Sequence, residues 1–156
     1  MPTLNVPSVI GPLTIEERDG AIVRLSWGDA PDDLPDGGPT PLLAEAARQI
    51  AAYFDGTLTD FGLPLAPEGS DFQKRVWRAM AEIPHGETWT YGELARRAGS
   101  VPRAVGGACG ANPIPVILPC HRVVAANGGA GGFSGKGGLK TKSALLDLES
   151  PNARLF

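Results

Sequence analysis

Short alternating runs open the chain, and helical periodicities follow. Leu13-Thr14-Ile15-Glu16-Glu17 alternates apolar with polar residues, and Asp19-Gly20 is a strong hairpin-turn signal. Ala21, Val23, Leu25 and Trp27 then fall on one face, with Arg24 and Ser26 on the other, which predicts a β-hairpin. Gly28 to Pro39 reads as a loop. Thr40-Pro41 pairs an N-cap residue with proline at the first helical position, and Leu43, Ala47, Ile50 and Phe54 keep helical spacing up to the stop at Asp55-Gly56. Gly56 to Gly69, with Pro64 and Pro67, reads as a link between two lobes, 1–69 and 70–156.

The second lobe reads as mainly helical. Ser70-Asp71-Phe72-Gln73 is a capping box opening a helix with Phe72, Val76 and Met80 inward, ending near Pro84. Thr90-Tyr91-Gly92-Glu93 is a second box, opening a short helix with Leu94, Ala95 and Ala98 that closes at Gly99. A further short helix runs from Arg103 to Ala111 and breaks at Asn112-Pro113. Two short helices joined by a Gly-containing turn form a helix-turn-helix candidate, although ordinary helical hairpins share the pattern. After Arg103 the second helix is Ala, Val, Gly, Gly, Ala, Cys, Gly, Ala. Each interior Gly costs ~1 kcal/mol against Ala, so such a helix needs something close to its backbone, either another helix or a nucleic-acid backbone. Ile114-Pro115-Val116-Ile117-Leu118 reads as a buried strand.

Composition narrows the class. Of 156 residues, 42% are hydrophobic and 20% charged, with 21 Gly and 15 Pro, which supports a folded, loop-rich protein rather than a disordered one. No apolar run reaches the ~20 residues of a membrane span, and no leader-like segment opens the chain, so a soluble cytoplasmic protein is expected. The net charge of -3 hides a split: residues 1–70 carry 11 acidic and 3 basic side chains, and residues 71–156 carry 6 and 11. A basic second half points to an anionic partner, but a solvated surface explains the same counts. The four carboxylates Asp29, Asp32, Asp33 and Asp36 lack EF-hand spacing, and the two cysteines form no disulfide framework.

Chemistry is concentrated in Pro119-Cys120-His121-Arg122-Val123-Val124. A thiolate is the reactive form of cysteine, so a nucleophilic Cys120 needs a partner that takes its proton. Adjacent residues point apart, so His121 would act on the thiol through a water, with its far nitrogen held by a carboxylate. Glu149 is the nearest downstream candidate on a helix. Cys120 as a small core side chain and His121 as a donor to a backbone carbonyl fit the same residues. Cys109, Cys120, His85 and His121 lack the paired spacing of a metal site, so no metal is expected.

The run from Asn112 through Pro119-Cys120-His121-Arg122 to Val124 resembles the active-site signature of the O6-alkylguanine-DNA alkyltransferases, the methylated-DNA–protein-cysteine methyltransferases. Thr90 to Ala95 resembles the first helix of that family's helix-turn-helix, and Pro102 to Ala108 its recognition helix. Gly131-Gly132-Phe133-Ser134-Gly135 resembles its glycine-rich loop, and Lys142 to Glu149 its closing helix. The resemblance implies an α+β fold. A small N-terminal β-hairpin and helix lobe, ribonuclease H-like in the family, would precede a mostly helical lobe bearing the DNA-binding helix-turn-helix.

It also implies a role for each matching residue. Cys120 would accept the alkyl group, His121 would be its water-relayed base, Glu149 would orient His121, and Asn112 would brace the turn. Tyr91 would donate a proton to the departing base. Arg103 would fill the place of a flipped nucleotide, while Tyr91, Ala104, Gly106, Gly107 and Ala111 would face the minor groove of double-stranded DNA. Val123, Gly132 and Ser134 would line the guanine pocket, with Phe133 as its apolar wall. The function implied is single-turnover removal of an alkyl group from O6 of guanine, with O4 of thymine a further substrate, by a monomer that uses no cofactor or metal. Extruding the nucleotide costs a few kcal/mol.

Several positions depart from the family pattern. Phe133 stands where many members have Tyr, Lys136-Gly137-Gly138 lengthens the loop and makes Lys140 a competitor to Lys142, and Gly110 replaces an often basic residue. Two rival classes, a damage binder without alkyl transfer and a cysteine hydrolase, are countered by the presence of Cys120 and by the lack of an oxyanion-hole signal, respectively.

Overall fold

Three antiparallel strands, β1 (Thr3–Val6), β2 (Leu13–Arg18) and β3 (Ala21–Trp27), form a sheet in the order β1-β2-β3. Asp19 and Gly20 take φ of 51° and 79°, the double positive φ that lets a two-residue turn match strand twist. A register shift between Glu16 and Glu17 breaks simple alternation. Ile22 and Val23 are accordingly both buried, with Ile22 bridging to Leu65 in parallel. Helix α1 (Pro41–Phe54), capped by the Thr40 side chain, packs on all three strands. Its inward row is Leu43, Ala46, Ile50 and Tyr53, each nearly inaccessible, rather than the expected Ala47 and Phe54. The stretch expected to be a linker is stitched to this sheet: Gln49 bonds both N–H and C=O of Gly62, and Ile22 bonds Pro64 and Ala66.

The computed structural model describes residues 2–28, 31–126 and 139–150 and separates into two compact units, Met1–Glu68 and Gly69–Phe156. Among the described residues no helix is long and apolar enough to cross a membrane.

The second unit begins with α2 (Asp71–Met80), where Ser70 and Gln73 close a complete capping box. Phe72 is only half-buried, and Trp77 takes the central core position instead, its Nε1 donating to Ala108 O at 2.8 Å. Gly69 is required here, because a Cβ would meet the Trp77 ring at 2.5 Å. Strand β4 (Trp89–Thr90) leads into α3 (Tyr91–Ala98), whose first turn is capped by Thr90. The Glu93 carboxylate is taken up by Arg96 and Arg97. Gly99 ends α3 in the left-handed conformation, with φ of 68°. Helix α4 (Pro102–Gly110) packs on α2 and α3.

Ile114 to Leu118 is buried, but it is a turn rather than the expected strand. Pro113, Pro115 and Pro119 deny the segment a run of donors, and Leu118 N–H bonds Ile114 O at 2.9 Å. Val116 sits at φ 73°, a conformation costly for a β-branched residue. The chain then makes a 3-10 turn, Cys120–Arg122, and a short strand β5 (Val123–Val124) that pairs in parallel with β4. Helix α5 (Leu139–Glu149) packs on the 3-10 turn.

Candidate active site

Cys120 opens the 3-10 turn with its thiol almost covered, at 9% exposure. The turn before it is held from one side chain. Asn112 Nδ2 donates to Leu118 O at 2.9 Å, and its Oδ1 accepts from Ile114 N at 2.9 Å. Burial pushes the Cys120 thiol above its usual pKa, opposed by a hydrogen bond from the Asn112 side chain, the positive charge of Lys142 and nearby backbone amides. Burial also pushes the Cys109 thiol, which touches Met80 sulfur at 4.0 Å, up to about 12.

His121 is completely buried, and its Nε2 lies 2.7 Å from Glu149 Oε2. Burial lowers the imidazole's affinity for a proton more than Glu149 raises it, and the cations Arg122 and Lys142 lower it further. The ring therefore rests neutral near pH 7. Its Nδ1 has no hydrogen-bond partner among the described residues.

Glu149 is held in turn by Arg122, which donates Nε to Oε1 at 2.8 Å and Nη2 to Oε2 at 2.9 Å. The remaining guanidinium nitrogen, Nη1, donates to Ile83 O at 2.7 Å. Burying a charge pair is costly unless its hydrogen bonds are filled, and the Arg122 fork fills both carboxylate oxygens. The sequence reading gives Arg122 no role. Its signal is a cation inside the buried run Cys120 to Val124. Lys142 is the second unassigned residue: it is fully buried, with Nζ donating to Val123 O at 2.6 Å and lying 5.9 Å from the Tyr91 ring centre. Lys140's side chain, Gly132, Phe133, Ser134 and Lys136 to Gly138 lie outside the described residues.

The pairing Trp89↔Val123 and Thr90↔Val124 sets Tyr91, at the start of α3, beside the segment leaving the cysteine turn. Tyr91, Gly92, Pro102, Arg103, Gly106, Ala125 and Ala126 line a largely apolar depression of about 430 Å³. Arg103 is exposed on the first turn of α4, with Gly107, Gly110 and Ala111 exposed along the same face and Ala104 and Gly106 half-exposed. Among the described residues nothing crowds Gly107 or Gly110, and a Cβ on Gly106 would only touch the Tyr91 ring at 4.0 Å. Packing within the unit therefore does not demand these glycines.

Residues 71–151 match the model of the 6-O-methylguanine DNA methyltransferase DNA-binding domain, and residues 5–67 match that family's ribonuclease-like domain. The chain is 54% identical to the methylated-DNA–protein-cysteine methyltransferase of Methanosarcina barkeri, covering 96% of this chain and 97% of that one. It is 45% identical to the enzyme of the same name from Methanosarcina acetivorans, over 91% and 94% of the two chains. Among solved structures it is similar to Mycobacterium tuberculosis OGT in complex with DNA, with a TM-score of 0.83, 42% identity and coverage of 97% and 94%. A DNA-binding lobe with a histidine-flanked cysteine defines a class, and full-length similarity narrows it. The chain belongs to the 6-O-methylguanine DNA methyltransferase family, the methylated-DNA–protein-cysteine methyltransferases.

Proposed function

We propose that this protein repairs DNA by direct reversal, taking the alkyl group from O6 of guanine onto Cys120. The observation that carries the assignment is the buried series Glu149–His121, ending at an imidazole Nδ1 without a partner among the described residues, on the residue that directly follows Cys120. Neutral His121 accepts the thiol proton at Nδ1 through a water, and Glu149 stabilises the imidazolium that forms. The Cys120 thiolate then displaces guanine O6 at the alkyl carbon. An S–C bond forms, the C–O bond breaks, and the electron pair passes to the purine, which the Tyr91 hydroxyl protonates. A thioether is a very poor leaving group, so each molecule reacts once.

The target atom is inaccessible in stacked duplex, so the nucleotide must leave the helix. Arg103, exposed at the head of a helix that beyond it presents Gly and Ala, fills the gap from the minor groove. Asn112 braces the acceptor turn, and we assign guanine recognition to Val123 and, on the resemblance alone, to Gly132, Phe133 and Ser134. We assign alkyl transfer and DNA binding to residues 70–156, with 1–69 as the accompanying lobe, and take O4-alkylthymine as a second substrate. Two free thiols suit a reducing cytoplasm, where the protein works as a monomer.

Incubation with O6-methylguanine duplex followed by intact and peptide mass measurement tests the proposal. One methyl group on Cys120 and none on Cys109 is expected. Repeated turnover, or full activity in Cys120→Ala, would overturn it.

A further inference from the structure

Helices α1, α2 and α3 each begin with a Ser or Thr whose side-chain oxygen accepts a backbone N–H. Helix α4 begins with Val101, which makes no side-chain cap. Valine is among the poorest N-cap residues. Its backbone, φ -118° and ψ 154°, is the extended conformation that any residue before proline adopts, and threonine would fit it equally well. The geometry of the turn therefore does not call for valine. Nor does the core: Val101 is 59% exposed, one of two large hydrophobic residues so exposed among the described residues.

Its position supplies the reason. The open face of α4 carries Arg103, Gly107, Gly110 and Ala111, so beyond Pro102 the only side chains of any reach at its leading end are Val101 and Arg103. Val101 thus places an exposed branched apolar group at the end of the helix where the cation stands, two residues before Arg103. Proteins that open a duplex from the minor groove insert apolar wedges beside their cations, because an unstacked step exposes hydrophobic base and sugar surface.

We infer that Val101 is a DNA-contact residue, an apolar wedge that packs against the deoxyribose and base edge flanking the gap filled by Arg103. The inference rests on the proposed minor-groove docking of α3 and α4. It makes Val101 a residue that gives up helix stability for duplex opening.

The two effects have opposite signs, which makes the test sharp. Val101→Thr keeps the branched shape and adds a capping hydroxyl. Its melting temperature should equal or exceed that of the wild type, while its Kd for O6-methylguanine duplex should rise about fivefold, the order expected for one lost apolar contact. The slope of log K against log salt should stay as in the wild type, because no phosphate contact is lost, whereas Arg103→Ala should weaken binding and flatten the slope by about one. Val101→Leu, which keeps an apolar group, should bind within twofold of the wild type. Wild-type affinity in Val101→Thr alongside a defective Arg103→Ala would refute the wedge and leave the docking intact. Wild-type affinity in both would refute the docking and the wedge with it. A flattened salt slope in Val101→Thr would also overturn the wedge, since an apolar contact cannot change it.

Discussion

Arg122 grips Glu149 through both carboxylate oxygens, at 2.8 and 2.9 Å, and Oε2, the oxygen it holds at 2.9 Å, also binds His121. The carboxylate thus cannot rotate away from the imidazole without breaking a bidentate pair. His121 is oriented by Glu149, and Glu149 by Arg122, which is itself pinned to Ile83 O. The arrangement fixes the ring's tautomer by geometry: Nε2 faces the carboxylate, so Nδ1 is the nitrogen left to accept a proton.

Removing either partner strands a buried charge. Glu149→Gln and Arg122→Gln should each lose about 3–5 kcal/mol of unfolding free energy. Arg122→Met with Glu149→Leu, which removes both charges, should recover part of that loss. Urea denaturation of the four proteins ranks their stabilities. Single variants within about 1 kcal/mol of the wild type would show that the pair is solvated in solution.

Stability should fall as pH drops through about 6.5, the value of an unperturbed histidine. Folded His121 has a lowered pKa, so the unfolded chain takes up a proton first, and acid then favours unfolding. Well above 6.5 neither state is protonated there and the contribution is fully present. His121→Gln should flatten this part of the profile. An unchanged slope in that variant would place the acid sensitivity elsewhere.

Arg103→Ala should slow repair of duplex at saturating DNA by a larger factor than reaction with a free O6-substituted guanine, because only the duplex requires extrusion. Tyr91→Phe should slow both, since the departing base needs a proton either way. Equal slowing of the two substrates by Arg103→Ala would assign that residue to the pocket instead.

Gly107→Ala offers a separate reading of α4. The added methyl meets nothing within 4 Å among the described residues, and the helix gains propensity, so stability should rise by about 0.5–1 kcal/mol. Duplex affinity should fall at least severalfold if a DNA backbone lies against this face. Thermal melting and duplex titration of one sample decide it: a stabilised variant with unchanged affinity would mean that the DNA does not approach here.

Elements with explicit terminal chemistry are legible in the sequence. Thr40, Ser70, Thr90 and Gly99 mark helix ends through side-chain oxygens or a left-handed glycine, and the structure shows those ends. Helix faces are less legible where apolar neighbours compete. Tyr53 and Phe54 both suit a core, and only the packing of α1 on the sheet selects Tyr53. Strand β1 escapes the pattern because its four residues are mostly half-buried. Ile114 to Leu118 has the hydrophobicity of a strand, but its prolines and the Asn112 side chain bend it into a turn. The cysteine's neighbourhood is readable as one contiguous run. The grip of Arg122 on Ile83 and Glu149, and of Lys142 on Val123, joins segments 19 to 39 residues apart, and no local pattern names these partners.

The two-rung pairing of β4 with β5 acts as a fixed gauge. Tyr91 follows β4 directly, and only His121 and Arg122 lie between Cys120 and β5, so the spacing between them is set by covalent chain length with no adjustable loop on either side. One inserted or deleted residue in 89–91 or 120–124 would shift the register and turn the side chains of these two short strands to the opposite face. Changes in chain length here cannot be absorbed, and this short stretch should be among the least tolerant of indels in the molecule.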